Sequence, residues 1–191
     1  MKKTYQGKEQ VMDFFSKFSF CPSCGSADFE INNEKSKRCK ACGFVYYLNA
    51  SAAVAAFILN EKKELLVCRR KKDPAKGTLD LPGGFVDNYE TAEEALKREI
   101  MEELQLEVEN PTYLFSLPNE YEYSNLLIPT LDLFFLCQIK KDLIPIPSDD
   151  VEDCFYVPLE KIQLELFGLK SVKKAVEIFL REQIGKKCQN I

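Results

Sequence analysis

The chain has 191 residues, of which 46% are hydrophobic, and 26 basic against 30 acidic residues give it a net charge of -4. This length can bury a sizeable core, so we expect one main domain with a small appendage. The acidic balance provides no global attraction for nucleic acid or an anionic membrane. No apolar run reaches the roughly 20 residues that span a bilayer, and no apolar signal core follows the first lysines, so the sequence predicts a cytoplasmic protein without a membrane partner.

Histidine is absent from the sequence. This excludes Ser-His and Cys-His nucleophilic mechanisms and any catalytic zinc bound through histidine. Acid-base chemistry must therefore use carboxylates, cysteine, lysine or tyrosine.

Residues 1–20 form an N-terminal segment, and residues 21–47 form a short polar module bracketed by cysteines. In the first, Phe14, Phe15 and Phe18 have helical spacing, and we interpret them as packing residues rather than a ligand surface. The basic run in the module is usually a solvated face, and nucleic-acid contact through it is the less favoured interpretation. Its members are Lys35, Lys37, Arg38 and Lys40.

Two CxxC pairs, each followed by glycine, define the module, and fourteen residues separate the second cysteine from the third. Four thiolates at about 2.3 Å would close a tetrahedral site, so zinc bound there would be structural. A redox dithiol is the alternative, but two symmetric pairs in a core-poor segment favour zinc. We interpret the four scattered cysteines as small buried hydrophobes. The predicted zinc ligands are Cys21, Cys24, Cys39 and Cys42, and the scattered cysteines are Cys68, Cys137, Cys154 and Cys188.

Branched and aromatic residues predict strands from residue 52 onward, and the polar turn 60–63 predicts a hairpin between the first two. Beyond them, apolar residues at helical spacing predict a final helix that covers the sheet. The predicted strands are 52–59, 65–70, 112–117, 130–139 and 154–157. The apolar residues of the final helix are Val172, Ala175, Val176, Phe179 and Leu180.

A helix is predicted over residues 91–104, with Asn88 or Thr91 as its cap. On this helix Glu99, Glu102 and Glu103 stand at i, i+3 and i+4, so their carboxylates share one face. Without a cation the arrangement is repulsive, whereas Mg²⁺ or Mn²⁺ favours such oxygen ligands and can activate water. A solvated acidic helix is the alternative for the three glutamates alone.

The residues before the helix favour the metal site. The sequence Leu-Pro-Gly-Gly ending at Gly84 allows tight backbone geometry, and Glu90 and Arg98 could pair to fix the loop against the helix. The segment resembles the Nudix box, G-x5-E-x7-R-E-U-x-E-E-x-G-U, where U is aliphatic. Every defined position matches except the late glycine, which is Gln105 at the C-terminal end of the predicted helix, where glycine normally relieves a left-handed backbone.

The resemblance to Nudix hydrolases implies an α/β fold, an α/β/α sandwich with a mixed sheet, over residues 50–186. Together with the cysteine module, it extends to the zinc-ribbon NADH pyrophosphatase branch. It implies that three glutamates bind Mg²⁺ or Mn²⁺ and one acts as base, that Gly83 offers its backbone carbonyl, and that Asp150 is a further ligand. The three glutamates are Glu99, Glu102 and Glu103, and the implied supporting residues are Gly84, Glu90 and Arg98.

The predicted function is hydrolysis of the diphosphate linkage between a nucleoside diphosphate and another group, as in NADH or ADP-ribose. The branch's SQPW motif is absent, and Tyr121 and Tyr123 in that region could either stack on a base or pack in the core. The alternative is a non-catalytic protein that senses nucleotides or binds nucleic acid on a Nudix fold. Isoprenoid diphosphate isomerisation is disfavoured because that family uses histidine. The resemblance also makes a homodimer plausible.

Overall fold

The computed structural model describes residues 14–139 and 144–189, with the side chains described up to residue 183. Within these ranges the chain forms two compact units. The first contains residues up to Ala50 together with Glu120–Pro129, and the second contains Ser51–Asn119 and the chain from Thr130 onward. Among the described residues, no helix is long and apolar enough to cross a membrane.

An antiparallel sheet forms the centre of the first unit, in the order β1–β2–β3. Its strands are β1 (Phe29–Asn33), β2 (Ser36–Cys39) and β3 (Val45–Tyr47). The small core between the sheet and the cysteine turns contains Cys21, Phe29 and Cys39, with Phe18 and Tyr46 packed against it.

The N-terminal phenylalanines pack, as predicted. Phe14 and Phe15 are buried, Phe14 stacks on Phe18 at 4.9 Å between ring centroids, and Phe18 stacks on Tyr46. The packing interpretation of these three rings is therefore confirmed.

Lys37 is buried, which contradicts the solvated-face interpretation for this member of the basic run. Its Nζ donates to the carbonyls of Phe15 and Phe18 and lies 4.7 Å from the centroid of the Phe29 ring. These contacts compensate the loss of water around the ammonium group. Lys37 thus ties the N-terminal segment to the cysteine module, a role that only a long-range contact reveals.

In the described part of the chain, six further strands form sheets in the orders β4–β8–β7 and β6–β5–β9, and they lie in the second unit except where β7 and β8 enter Glu120–Pro129. The β4 strand pairs with β8 in parallel, whereas β5 pairs with β6 and β9 antiparallel, so the strand directions are mixed. The strands are β4 (Ser51–Ile58), β5 (Glu64–Arg70), β6 (Leu79–Asp80), β7 (Val108–Tyr123), β8 (Leu126–Ile139) and β9 (Val151–Pro158).

The predicted hairpin between the first two of these strands is wrong. They meet at one bridge, Leu59 with Leu65, and then join different sheets. Strand β7 also begins earlier than predicted because Pro111 does not interrupt it. This strand lies at a sheet edge, where the missing N–H of proline need not break a ladder bond.

Within the described ranges of the second unit, the α-helices α1 (Ala92–Leu104) and α2 (Lys170–Gln189) cover the sheets, and short 3₁₀ turns span Leu159–Lys161 and Leu164–Leu166. Alternate residues of β4 belong to different cores. Ala56 packs in the cluster that contains α1 residues, whereas Phe57 stacks on Phe179 of α2 at 4.1 Å between ring centroids. Since successive strand residues point to opposite faces, a helix lies on each face. The α/β/α sandwich with mixed strand directions is confirmed.

Of the scattered cysteines, three have described side chains, and two of these are buried. Cys68 and Cys137 lie in the core, and burial raises the pKa of both thiols, that of Cys137 to about 12. Cys154 is partly buried, and the side chain of Cys188 lies outside the described part of the chain. The hydrophobic interpretation is confirmed for Cys68 and Cys137.

Gln105 ends α1 in the left-handed conformation, with φ 56° and ψ 34°, and its N–H donates to the Met101 carbonyl at 3.0 Å. A side chain is strained there, so Gln105→Gly should raise the free energy of unfolding by about 0.5–1 kcal/mol in chemical denaturation. The matched control Lys97→Gly, in the same helix with ordinary helical geometry, should lower it by about 1 kcal/mol. A lower free energy of unfolding in both Gln105→Gly and Lys97→Gly would contradict the inferred backbone strain at Gln105.

Candidate functional site

Local sequence signals fix the start and the rotation of α1. The Thr91 hydroxyl accepts the Glu94 N–H, while the Glu94 carboxylate accepts the Thr91 N–H at 2.8 Å, forming a capping box. The apolar face of the helix is fully buried in the sandwich core and therefore sets which residues face the site. That face consists of Ala95, Leu96, Ile100 and Leu104.

The loop after β6 runs beside β4 as a backbone extension of the sheet. Its Pro82 carbonyl accepts the Ala56 N–H at 2.9 Å, and its Gly84 carbonyl accepts the Val54 N–H at 2.8 Å. Gly83, between them, has φ 145°, and a Cβ there would stand 2.1 Å from the Val54 carbonyl oxygen. Only glycine fits this approach of two backbones.

The two loop glycines should respond differently to alanine. In Gly83→Ala the new methyl group meets backbone, so we expect a loss of about 3 kcal/mol in the free energy of unfolding. In Gly84→Ala it meets the Glu99 carboxyl group at 2.5 Å, a side-chain end that can move. Gly84→Ala should therefore reduce activity more than stability, as denaturation and kinetics on the same samples would show. Equal destabilisation by both changes would contradict this difference.

Arg98 connects the loop to the carboxylates. Its Nε and Nη2 donate to the two oxygens of Glu90, each at 2.9 Å, and its Nη2 also donates to the Phe85 carbonyl at 3.0 Å. Its Nη1 donates to Glu99 at 2.8 Å and Glu102 at 3.2 Å. The bidentate pair with Arg98 holds the pKa of Glu90 below its ordinary value. The predicted pairing of Glu90 with Arg98 is thus present.

Glu103 is the most deeply buried of the three glutamates, with 8% of its surface exposed. Its Oε2 accepts the Gly83 N–H at 3.0 Å. Burial raises the pKa of Glu103 to about 8 despite that hydrogen bond, and the neighbouring carboxylates of Asp80, Glu99 and Asp150 raise it further. Burial also raises the pKa of Glu99, against the effect of Arg98. The site therefore concentrates negative charge where water is scarce.

The chemistry of these donors fits a divalent cation. Carboxylate oxygens suit Mg²⁺ or Mn²⁺, and a cation would relieve the repulsion around Glu103. In the described ranges, however, the four cysteines are the only potential metal ligands that lie, as a group of three or more, with their ligand atoms within 4.8 Å of one another. Arg98 holds Glu99 and Glu102, while Gly83 holds Glu103. The glutamates line one region without converging on a point.

Asp150 lies near this region, as its effect on Glu103 indicates, but its carboxylate is half exposed and forms an ion pair with Lys72. Tyr121 and Tyr123 lie on β7 within the first unit, whereas α1 belongs to the second. Tyr121 is partly buried and Tyr123 is 63% exposed. The substrate role of the two tyrosines and the ligand role of Asp150 stay predictions.

The site also includes a partly buried ion pair that sequence reasoning missed. Arg70 Nη1 donates to Asp80 Oδ2 at 2.5 Å, and Arg70 Nε donates to the Pro74 carbonyl. Burial raises the pKa of Asp80 despite Arg70, and Asp80 adds like charge beside Glu103. A charged residue between Leu79 and Leu81 was the available signal, because a charge inside an apolar strand needs a partner.

The cysteine module brings its four predicted ligands together. Opposite sulfur atoms are separated by 3.7 Å in both cross pairs, Cys21 with Cys42 and Cys24 with Cys39, and all four lie within 4.8 Å of one another. A tetrahedral zinc site with bonds of about 2.3 Å requires sulfur separations of about 3.8 Å. The residues present therefore fit zinc.

The two cysteine turns of the module share a backbone conformation. Gly25 and Gly43 have φ values of 73° and 79°, and their N–H groups donate to the carbonyls of Cys21 and Cys39. The N–H of Cys42, with that of Ala41, lowers the pKa of Cys39 to about 7. Against the Ser26 N–H, the thiols of Cys42, Cys39 and Cys21 raise the pKa of Cys24 to about 12, so the thiolate form is favoured at one cysteine of the module at the expense of another.

A family model described as NUDIX domain matches residues 50–176, more than half of the chain. The chain therefore belongs to the NUDIX domain family. This membership confirms the resemblance of the carboxylate helix and its glycine loop to the Nudix box.

Among curated proteins, the NAD-capped RNA hydrolase NudC of Stutzerimonas stutzeri is 24% identical over 177 residues, covering 93% of this chain and 61% of that protein. The NudC of Deinococcus radiodurans is 27% identical over 158 residues, covering 81% of this chain and 54% of that protein. The chain thus spans about three fifths or less of the length of these relatives.

Solved structures agree on the fold. A NUDIX hydrolase from Nitrosomonas europaea has a TM-score of 0.72 at 22% identity and covers 88% of this chain and 93% of its own. The NUDIX domain of Shewanella oneidensis NrtR, solved with ADP ribose, has a TM-score of 0.58 at 19% identity, covering 71% of this chain and 89% of its own.

Proposed function

We propose that the protein is a metal-dependent hydrolase that cleaves the diphosphate linkage between a nucleoside diphosphate and another group. The observation that carries this proposal is the fixed carboxylate face of α1. Glu99 and Glu102 are bonded to Arg98, and buried Glu103 is bonded to Gly83. A solvated acidic helix would not bury a glutamate among carboxylates.

We assign Glu99, Glu102 and Glu103 to hold Mg²⁺ or Mn²⁺, with the Gly83 carbonyl and Asp150 as further ligands. Such an ion, when bound, polarises a phosphoryl oxygen and lowers the pKa of water. Among the chain's own residues, Arg98 fixes the carboxylates of Glu99 and Glu102 against the loop.

Glu103 is our candidate base. Because its Oε2 already accepts the Gly83 N–H, Oε1 is the atom assigned to take a proton from the attacking water. Carboxylates are among the side chains that act as general bases in enzymes. Water oxygen bonds to one phosphorus, the bridging phosphorus–oxygen bond breaks, and two phosphorylated products leave.

The substrate class follows from the relatives and from the site. Their NAD-capped RNA hydrolase names favour a nucleoside diphosphate linked to another group, as in NADH and ADP-ribose, and Tyr121 and Tyr123 are our candidates for base contacts. We also propose a structural zinc ion in residues 21–47, joined to a hydrolase domain over residues 50–186, in a cytoplasmic protein.

A substrate panel tests the activity. Purified protein with Mg²⁺ or Mn²⁺ should cleave at least one of NADH, ADP-ribose, a nucleotide sugar and NAD-capped RNA, and product identification reveals which bond breaks. Absence of cleavage across this panel and nucleoside triphosphates would contradict the hydrolase. Tight binding without turnover would instead support the nucleotide sensor.

A further inference from the structure

The loop between Gly84 and α1 carries an unusual tyrosine. Tyr89 has a φ of 68°, a left-handed conformation that bulky side chains rarely adopt, and its side chain is fully exposed to solvent. Glycine would take this backbone conformation without strain. Neither the backbone nor burial of the ring therefore explains an aromatic residue at this position.

The turn that carries Tyr89 is held firmly. The Asp87 N–H donates to Glu90 Oε2 at 3.0 Å, and the Glu90 N–H donates to the Asp87 carbonyl at 3.3 Å. Arg98 binds the loop on both sides of the tyrosine, at the Phe85 carbonyl and at the Glu90 carboxylate. The exposed ring is thus presented from an ordered turn, which reduces the entropy lost when a ligand contacts it.

The same guanidinium connects this turn to the carboxylate face. Arg98 Nη1 bonds Glu99 and Glu102, while the other nitrogens of the group bond the residues that flank Tyr89. One side chain therefore links the ring-bearing turn and two proposed metal ligands.

The chemistry of the turn limits what the ring can recognise. The acidic side chains of Asp87 and Glu90 offer a phosphate no cationic partner, whereas an exposed aromatic face attracts another planar ring. We propose that Tyr89 is a stacking platform for the aromatic base of the nucleotide substrate. This inference rests on the proposed function and names a base contact on the loop beside the carboxylates.

The absence of tryptophan from the chain provides a direct reporter. In Tyr89→Trp the indole is the sole tryptophan, and ADP with Mg²⁺ should quench its fluorescence by stacking. Inorganic pyrophosphate with Mg²⁺, which has the charges but no base, should leave it nearly unchanged. The control Tyr47→Trp places an indole at an exposed position of β3 and should respond to neither. No quenching by ADP, or equal quenching by pyrophosphate, would overturn the stacking role.

Kinetics on the substrate identified by the panel provide a second measurement. Tyr89→Gly should raise KM about tenfold or more, with a smaller change in kcat. In other proteins the loss of one stacking side chain weakens binding by roughly 5- to 150-fold. Tyr89→Phe keeps the ring and should recover most of that loss. Because glycine relieves the left-handed backbone, the unfolding midpoint of Tyr89→Gly should not fall. An unchanged KM would overturn the inference and would indicate another use of the ring, such as contact with a protein partner.

The two proposals fail separately. Quenching by ADP without turnover of any substrate would retain the stacking platform and remove the hydrolase. Turnover combined with an unchanged KM in Tyr89→Gly would retain the hydrolase and remove the platform.

Discussion

Glutamine at position 103 is expected to lower kcat by about 10²- to 10⁴-fold while the protein stays folded. Glu103→Gln keeps the side-chain volume and an oxygen that can accept the Gly83 N–H, so no cavity forms and the loop keeps its bond. It removes the charge that a metal ligand needs and the carboxylate that a base needs. Steady-state kinetics and thermal unfolding of the same preparation measure both effects.

The effect of Glu103→Gln on the free energy of unfolding provides a second measurement. Glu103 is buried beside Asp80, Glu99 and Asp150, whose charges oppose its ionisation. Removing its charge should therefore leave stability unchanged or slightly higher when no metal is present. Glu93→Gln, an exposed glutamate of the same helix, is the matched control and should keep near-parental kcat. Near-parental kcat in both Glu103→Gln and Glu102→Gln would remove these glutamates from the mechanism.

Local patterns predicted α1 well because its signals lie within its own segment. The capping box at Thr91, the apolar face and the spacing of the glutamates are all readable from neighbouring residues. What the pattern could not distinguish was the environment of each glutamate. Glu102 is half exposed, whereas Glu103 is buried, and this difference arises from Gly83 and Asp80, which are distant in sequence.

The sequence-based predictions failed where a strand or side chain contacts residues that are distant in sequence. The turn at residues 60–63 is present, yet the strands on either side pair with β8 and β9 rather than with each other. The same limit hid the burial of Lys37, which depends on carbonyls about twenty residues away. Strand propensity and charge describe a residue's own preference, and such pairings require the assembled sheet.

Replacement of Cys24 by serine should also have a large effect, because few interactions other than zinc binding would stabilise the fold of the cysteine module. Its buried core consists of Cys21, Phe29 and Cys39, too few side chains to offset the entropy of ordering the segment. In small cysteine modules the free energy of metal binding is also folding free energy. Cys24→Ser should therefore reduce bound zinc from about one ion per chain to almost none.

The loss should be local to residues 21–47. The two large hydrophobic clusters of the second unit contain none of the module's residues, so the main unfolding transition should remain. Elemental analysis measures zinc, and limited proteolysis with mass spectrometry should detect new cleavage inside the module. Ser23→Ala, at an exposed position between the paired cysteines, is the control and should keep zinc and protection. Full zinc content in Cys24→Ser would show that the four sulfur atoms are not the zinc site, whatever their separations of 3.7 Å suggest.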